Sequence, residues 1–159
     1  MNIDVIAVGR IKEKYIQEGI KEYKKRLSSY CKLNIIEVSD EKVPDDSSDA
    51  QRERIRQVEG ERIRARIKKG SYVIATDING EELSSEQLAR KLNDIIISGK
   101  SDLSIIIGGS LGLWDQLIES ADMRLSFSKF TFPHQLFRLI LLEQLYRCFK
   151  IIHAEPYHK

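Results

Sequence analysis

The chain has 159 residues, 42% of them hydrophobic and 31% charged, with a formal net charge of +2. That length fits one domain, residues 1–159, large enough to bury roughly 70% of its unfolded surface. No apolar run approaches membrane-spanning length and the Met1–Gly9 run is too short for a signal peptide, so a cytoplasmic protein without a membrane partner is expected.

The distribution of charge says more than its sum. Residues 37–49 carry six acids and one lysine, whereas residues 51–69 carry eight bases and three acids, so a basic face follows an acidic loop. Cys31 and Cys148 follow no metal-ligand or Cys-x-x-Cys spacing and sit beside apolar residues, as buried thiols do.

Met1–Val8 is rich in Ile and Val and reads as a strand ending on Gly9. Glu13–Ser29 follows as a helix with Ile16, Ile20, Tyr23 and Leu27 at helical spacing and a lysine-rich opposite face, more readily a solvated face than an RNA contact. Leu33–Val38 is a second strand, and Ser39–Asp49, with Pro44 among paired acids and serines, is a loop. Asp49–Lys69 is a charged helix with Ser48 or Asp49 as cap and a thin seam of Ile55, Val58, Ile63 and Ile67. Gly60 weakens its middle by about 1 kcal/mol relative to alanine, and its arginines suit either phosphate contacts or solubility.

Ser71–Asp77 is a third strand, followed by Asn79-Gly80 as a turn signal. Ser84 and Gln87 have capping-box spacing ahead of a helix reaching about Ser98, with Gly99 placed to end it. Leu103–Ile107 ends in three consecutive β-branched isoleucines with no polar alternation, the pattern of a strand covered on both faces. Gly108, Gly109 and Gly112 then allow a tight turn and the approach of a ligand to main-chain N–H groups. A short helix near Trp114–Ala121 leads to a strand over Arg124–Phe132. Pro133 stands where a helix places its first residue, ahead of the apolar helix His134–Phe149, which is either central to the core or half of a subunit interface. Alternating strands and helices predict an α/β fold with a mainly parallel sheet and helices on both faces.

In such a sheet, ligands sit at the strand C-termini, which singles out the glycine loop and the aromatic loop before Pro133. The glycines do not form a dinucleotide fingerprint, and there is no phosphate-loop Gly-Lys-Ser/Thr. His134, His153 and His158 are too scattered to predict a metal site. Tyr157 and His158, at a terminus that would ordinarily fray, suggest that the tail docks.

Together, Ile105–Leu113 (Ile-Ile-Ile-Gly-Gly-x-x-Gly-Leu), Leu125–His134 (Leu-Ser-x-x-x-x-Thr-x-Pro-His), Arg138 with Glu143–Arg147, and the terminal Pro156-Tyr157-His158 resemble the RlmH family of SPOUT-class methyltransferases of large-subunit ribosomal RNA. Ile6–Gly9, Glu22-Tyr23 with Arg26, and Glu59-Gly60-Glu61 extend the resemblance over the whole chain. It implies a C-terminal trefoil knot that binds S-adenosylmethionine, in a homodimer that uses no metal. The cofactor residues would be Thr76, Gly108 and the run Phe127, Ser128, Lys129, Phe130, Thr131 and Phe132, with Thr76 standing where relatives are expected to carry an aliphatic residue. The implied reaction is N3-methylation of a pseudouridine of 23S rRNA within the assembled ribosome. His134, Tyr157 and His158 are candidates to help remove the N3 proton, and Arg138 suits a phosphate or base carbonyl. Two rival readings are a non-catalytic RNA-binding ribosome-assembly factor and a flavodoxin-like module. The first would use the basic helices without needing the two loops; the second lacks a phosphate loop after its first strand.

Overall fold

The computed structural model describes residues 1–157. Strands β1 (Asn2–Val8), β2 (Lys32–Val38), β3 (Tyr72–Glu82), β4 (Asp102–Ile107) and β5 (Met123–Ser126) form one parallel sheet in the order β2-β1-β4-β3-β5. Helices α1 (Lys14–Leu27), α2 (Asp49–Arg64), α3 (Ser85–Ile97), α4 (Asp115–Ser120) and α5 (His134–Ile152) connect or follow them. The expected α/β architecture is therefore present.

The period of two along each strand divides the core. In β1, Ile3, Val5 and Ala7 join a cluster with Ile16, Leu92 and Leu141 of α1, α3 and α5, while Ile6 and Val8 face Ile63 and Leu117 of α2 and α4. With helices on both faces, strand β4 can be apolar throughout, as its run of isoleucines demanded. Helix α5 lies against α1 and α3, with Leu141, Leu142, Leu145, Cys148 and Phe149 buried, so much of its apolar circumference belongs to the core. Both cysteines are buried free thiols; desolvation pushes Cys31 up to about 11 and Cys148 up to about 12.

Ser48 and Ser84 each accept from a backbone N–H three residues on, while Gln51 and Gln87 reach back, forming two complete capping boxes. Several boundaries differ from the sequence reading. Helix α2 stops at Arg64, and α5 continues to Ile152. Asn79-Gly80 lies inside β3, where the register against β5 jumps between Thr76 and Glu81, so it forms an irregularity in the strand rather than its end. Strand β5 ends at Ser126, not Phe132. Beyond it the chain bonds to itself, Ser126 Oγ donating to Ser128 O and Phe130 N donating to Ser128 Oγ, and Phe127 packs edge-on against Phe137 of α5 at 4.9 Å.

Gly60 has a packing reason that propensity hides. A Cβ there would meet Trp114 Cβ at 2.8 Å and Cε3 at 2.9 Å, and Arg64 lies over the same ring at 4.8 Å. Trp114 docks on the bare backbone of α2 and ties the glycine loop's far end to that helix. Gly60→Ala should therefore lower stability by about 1–3 kcal/mol through overpacking, opposite in sign to the gain of about 1 kcal/mol that helix propensity alone predicts. Urea unfolding decides between them.

Candidate functional site

Strand β4 delivers the chain into a loop that folds back on its own start. Gly112, at φ +81°, donates its N–H to Gly109 O at 3.0 Å. A Cβ on Gly108 would lie 2.4 Å from Gly112 C and 2.6 Å from Leu113 N. Gly108 thus lacks a side chain first of all so that the loop can close on itself, and a bulky substitution would break the loop before it reached any ligand.

This loop separates two clefts. The first, of about 150 Å³, lies between the ends of β3, β4 and β5. Thr76, Gly108, Phe127, Ser128, Phe130 and Phe132 of the expected cofactor set line it; Lys129 and Thr131 are exposed and do not. Thr76 Oγ1 donates to Ile106 O at 2.9 Å, so its hydroxyl is satisfied within the sheet and the side chain can serve the cleft as an aliphatic one would. Phe127 and Phe132 also wall a further cleft of about 330 Å³ towards Ser84 and Ser85 of α3. Phe130, 80% exposed, projects from the loop.

The second cleft, of about 390 Å³, opens on the other side of Gly109, which lines both. Its walls come from the ends of β1 and β2, the start of α5, and Glu59 of α2. His134 stands here at the start of α5. Partial burial of its ring, then the charge of Arg138, push it below the ordinary histidine value, so it is neutral near pH 7. Gln135 Oε1 accepts from the backbone N–H groups of Lys12 (2.7 Å) and Glu13 (3.3 Å), pinning the approach to α1.

Arg138 is 1% exposed. Its Nη1 donates to Glu37 Oε1 at 3.0 Å, and its Nη2 donates to Val8 O at 2.5 Å and Gly9 O at 2.7 Å; Nε has no partner among the described residues. The guanidinium is engaged in holding α5 to the ends of β1 and β2, which makes it a positioning residue rather than a free phosphate contact.

The tail goes elsewhere. Tyr157 packs edge-on against Tyr146 at 4.9 Å, lies under Arg147 at 4.9 Å, and donates to Glu143 Oε1 at 3.3 Å. Twelve residues of helix, about 18 Å, separate Tyr146 from His134. Burial, with a hydrogen bond to Tyr23 adding to it, pushes the Tyr157 phenol up to about 12, so it stays protonated at ordinary pH. His158 lies outside the described residues.

The sequence reading passed over Glu59 as a site residue. It occupies the seam of α2, four residues from both Ile55 and Ile63, and is 4% exposed. An acid in an apolar helical stripe is the signal that marks it. Among the described residues no cluster of His, Cys, Asp and Glu could hold a metal, and no helix is long and apolar enough to cross a membrane.

The family described as "Predicted SPOUT methyltransferase" matches residues 1–158, and the chain belongs to that family. The chain is 57% identical to a protein of Acetivibrio thermocellus and 57% identical to one of Clostridioides difficile, each over 159 residues and the full length of both chains; both are named ribosomal RNA large subunit methyltransferase H. A solved structure titled as a probable methylase family protein from Haemophilus influenzae Rd KW20 has a similar fold, with a TM-score of 0.52 at 14% identity, covering 99% of this chain and 70% of that one.

Arg138→Met should lower stability by about 2–4 kcal/mol, because two strand-end carbonyls lose the guanidinium and Glu37 loses its ion-pair partner. Urea unfolding measures it, and cofactor affinity per folded molecule should fall far less.

Proposed function

We propose that this protein transfers a methyl group from S-adenosylmethionine to N3 of a pseudouridine of 23S rRNA in the assembled ribosome, acting in the cytoplasm as a homodimer whose C-terminal half forms a trefoil knot. The observation that carries this reading is full-length similarity to enzymes named for large-subunit rRNA methylation. The site supports it through two clefts, one carbon-walled and one polar, that meet at a single backbone position, Gly109.

The residues present fit the cofactor. Aromatic side chains, Leu125 and the carbon face of Thr76 suit an adenosine, and the strand ends offer backbone groups to its polar edges. At about 150 Å³ the cleft is smaller than the roughly 300 Å³ at which ligand clefts begin, so binding would require it to widen, and Phe127 and Phe132, which also line the neighbouring cleft, are the walls placed to yield. When bound, S-adenosylmethionine supplies an electrophilic sulfonium methyl group. Thr76, Gly108, Phe127, Ser128, Phe130 and Phe132 would hold it, and the glycine loop would fix the boundary across which the target nitrogen must be aligned. Arg138 keeps the first turn of α5 and the end of β1 at a fixed separation. His134, neutral and at the mouth of the polar cleft, can hydrogen-bond a base carbonyl or exchange a proton.

The dimer is argued from the tail. Tyr157 rests about 18 Å along α5 from its own chain's His134, so the Pro156–Lys159 segment reaches a site more readily in a neighbouring chain. Removing residues 156–159 should abolish methyl transfer while leaving dimerisation intact. Mixing that chain with a Thr76→Trp chain, whose donor cleft is filled, should restore one site per heterodimer; no recovery in confirmed heterodimers would place the tail's action within its own chain.

The decisive experiment incubates the protein with labelled S-adenosylmethionine and ribosomes lacking the modification, then identifies the product nucleoside by mass spectrometry. N3-methylpseudouridine is expected in 23S rRNA; label in another nucleoside, or none, overturns the reading. For the RNA contact, Arg62 is unsuitable as a probe because it pairs with Glu41 at 2.5 Å and donates to Ser39 O. Arg66→Glu with Lys69→Glu, both exposed, should weaken ribosome binding and lower the slope of log affinity against log salt by about 1–2, without changing cofactor affinity by calorimetry.

A further inference from the structure

We propose that Glu59 is the proton acceptor for the ring N–H that methylation replaces, acting from the floor of the polar cleft across Gly109 from the methyl-donor loops. This rests on the reading of the protein as a base-nitrogen methyltransferase and assigns the group which that reading leaves open.

Four observations carry it. Glu59 is 4% exposed, yet only one of its carboxylate oxygens is satisfied: Oε1 accepts from Glu41 N at 2.9 Å, and the buried Oε2 has no partner among the described residues. An unpaired buried carboxylate oxygen is costly and is retained where a ligand completes it. The cations nearby are committed elsewhere, Arg62 to Glu41 and Arg138 to Glu37. A Cβ on Gly109 would come within 2.9 Å of Oε2, so the glycine loop passes the carboxylate with no side chain between them. Finally, Glu59 lines the 390 Å³ cleft that Gly109 shares with the donor cleft.

The charges facing it favour the role. Desolvation raises its proton affinity most; the hydrogen bond from Glu41 N opposes this, Asp40 and Glu41 add to it, and Arg62 lowers it. From α5, His134 and the paired Arg138 face the same cleft, and Arg10 and Lys12 stand at its β1 side. A carboxylate held above its usual range is a stronger base than an exposed one.

The step balances. The N3–H bond of the imide breaks and its proton passes to Glu59 Oε2. The electron pair left on nitrogen forms the N–CH3 bond as the methyl group departs a sulfonium donor, whose S–C electron pair stays on sulfur. The proton then leaves to water through the mouth of the cleft.

Glu59→Gln tests this, because the amide keeps the acceptor for Glu41 N but removes the base. Single-turnover methylation of unmodified ribosomes should fall by about 10²–10⁴-fold, with calorimetric cofactor affinity unchanged. The wild-type rate should rise with pH through a titration above the ordinary carboxylate range and then level off, whereas the residual rate of the variant should climb without that plateau. A readout independent of activity comes from stability. A carboxyl whose folded proton affinity is raised contributes stability fully present below its unfolded value, about 4.3, and lost as pH rises through the folded value. Glu59→Gln should therefore melt at or above the wild-type temperature at neutral pH, with that advantage vanishing at low pH. A wild-type rate that shows no rise through a titration above the ordinary carboxylate range, or a Gln variant within threefold of wild type, overturns the proposal, and neither requires an unstable variant to be interpreted. Failure of the wild-type protein to methylate ribosomes would instead overturn the parent reading and this inference with it.

Discussion

The site depends on one buried cation. Arg138 reaches from the second turn of α5 to the place where β1 and β2 end, and there it holds the carbonyls of Val8 and Gly9 and the carboxylate of Glu37. Taking a guanidinium out of water costs several kcal/mol. The cost is offset because Glu37 remains about one-third exposed and partly solvated while still neutralising the charge, and because two strand-end carbonyls accept from the guanidinium. The geometric consequence is larger than the energetic one. The β1 end, the β2 end and the first turn of α5 are fixed to one another, and these are three walls of the polar cleft. The same helix is also held by Gln135, which accepts from Lys12 N and Glu13 N, and by Gln144, which accepts from Ser85 Oγ.

The same cleft concentrates the polar defects of the core. The two buried side-chain atoms without a partner among the described residues are Arg138 Nε and Glu59 Oε2, and both residues line it. Opposite charges in one partly dry cavity would ordinarily find each other, but here each is turned to a different carboxylate or backbone group. Local rules of polar satisfaction are kept elsewhere, down to two complete capping boxes, and are relaxed where a ligand would complete them. Stability surrendered at one place, within an otherwise consistent fold, is the expected signature of a site.

Much of this was legible in the residues. The isoleucine run of Leu103–Ile107 required cover on both faces, the Ser84-x-x-Gln87 spacing placed one helix start, and Ser48 or Asp49 as cap placed another within a residue. The glycine and aromatic loops were identifiable as strand-end loops from order alone. What was not legible depends on partners distant in sequence. The aromatic run after Ser126 has the alternation of a strand, but Phe127 finds Phe137 of α5 and the chain leaves the sheet. Gly60 looks like a propensity defect until Trp114, fifty-four residues on, is placed against it. Glu59 was hidden by its own surroundings, since among so many charged residues of α2 one acid does not stand out until the helix is oriented. The insertion of β4 between β1 and β3 is likewise a tertiary choice, although it is what brings Gly109 between the two clefts.

The two loops differ in how they are held, and that difference suits their tasks. The glycine loop is braced by the bridge between Gly109 and Gly112, by the contact of Gly108 with the chain's own return, and by Trp114 seated on α2. The aromatic loop has short-range bonds through Ser126 and Ser128 and ring contacts with Phe137, with Phe130 in solvent. Segments with few buried contacts and local hydrogen bonds open at small free-energy cost. On the proposed function, a rigid boundary beside a yielding wall would let a cleft of about 150 Å³ admit a larger molecule while the line across which groups must align stays fixed. Were the stiffness reversed, entry would displace Gly109 and with it the alignment of the polar cleft, so this order of rigidity is the one that the proposed reaction, with binding on one side of a residue and transfer on the other, would require.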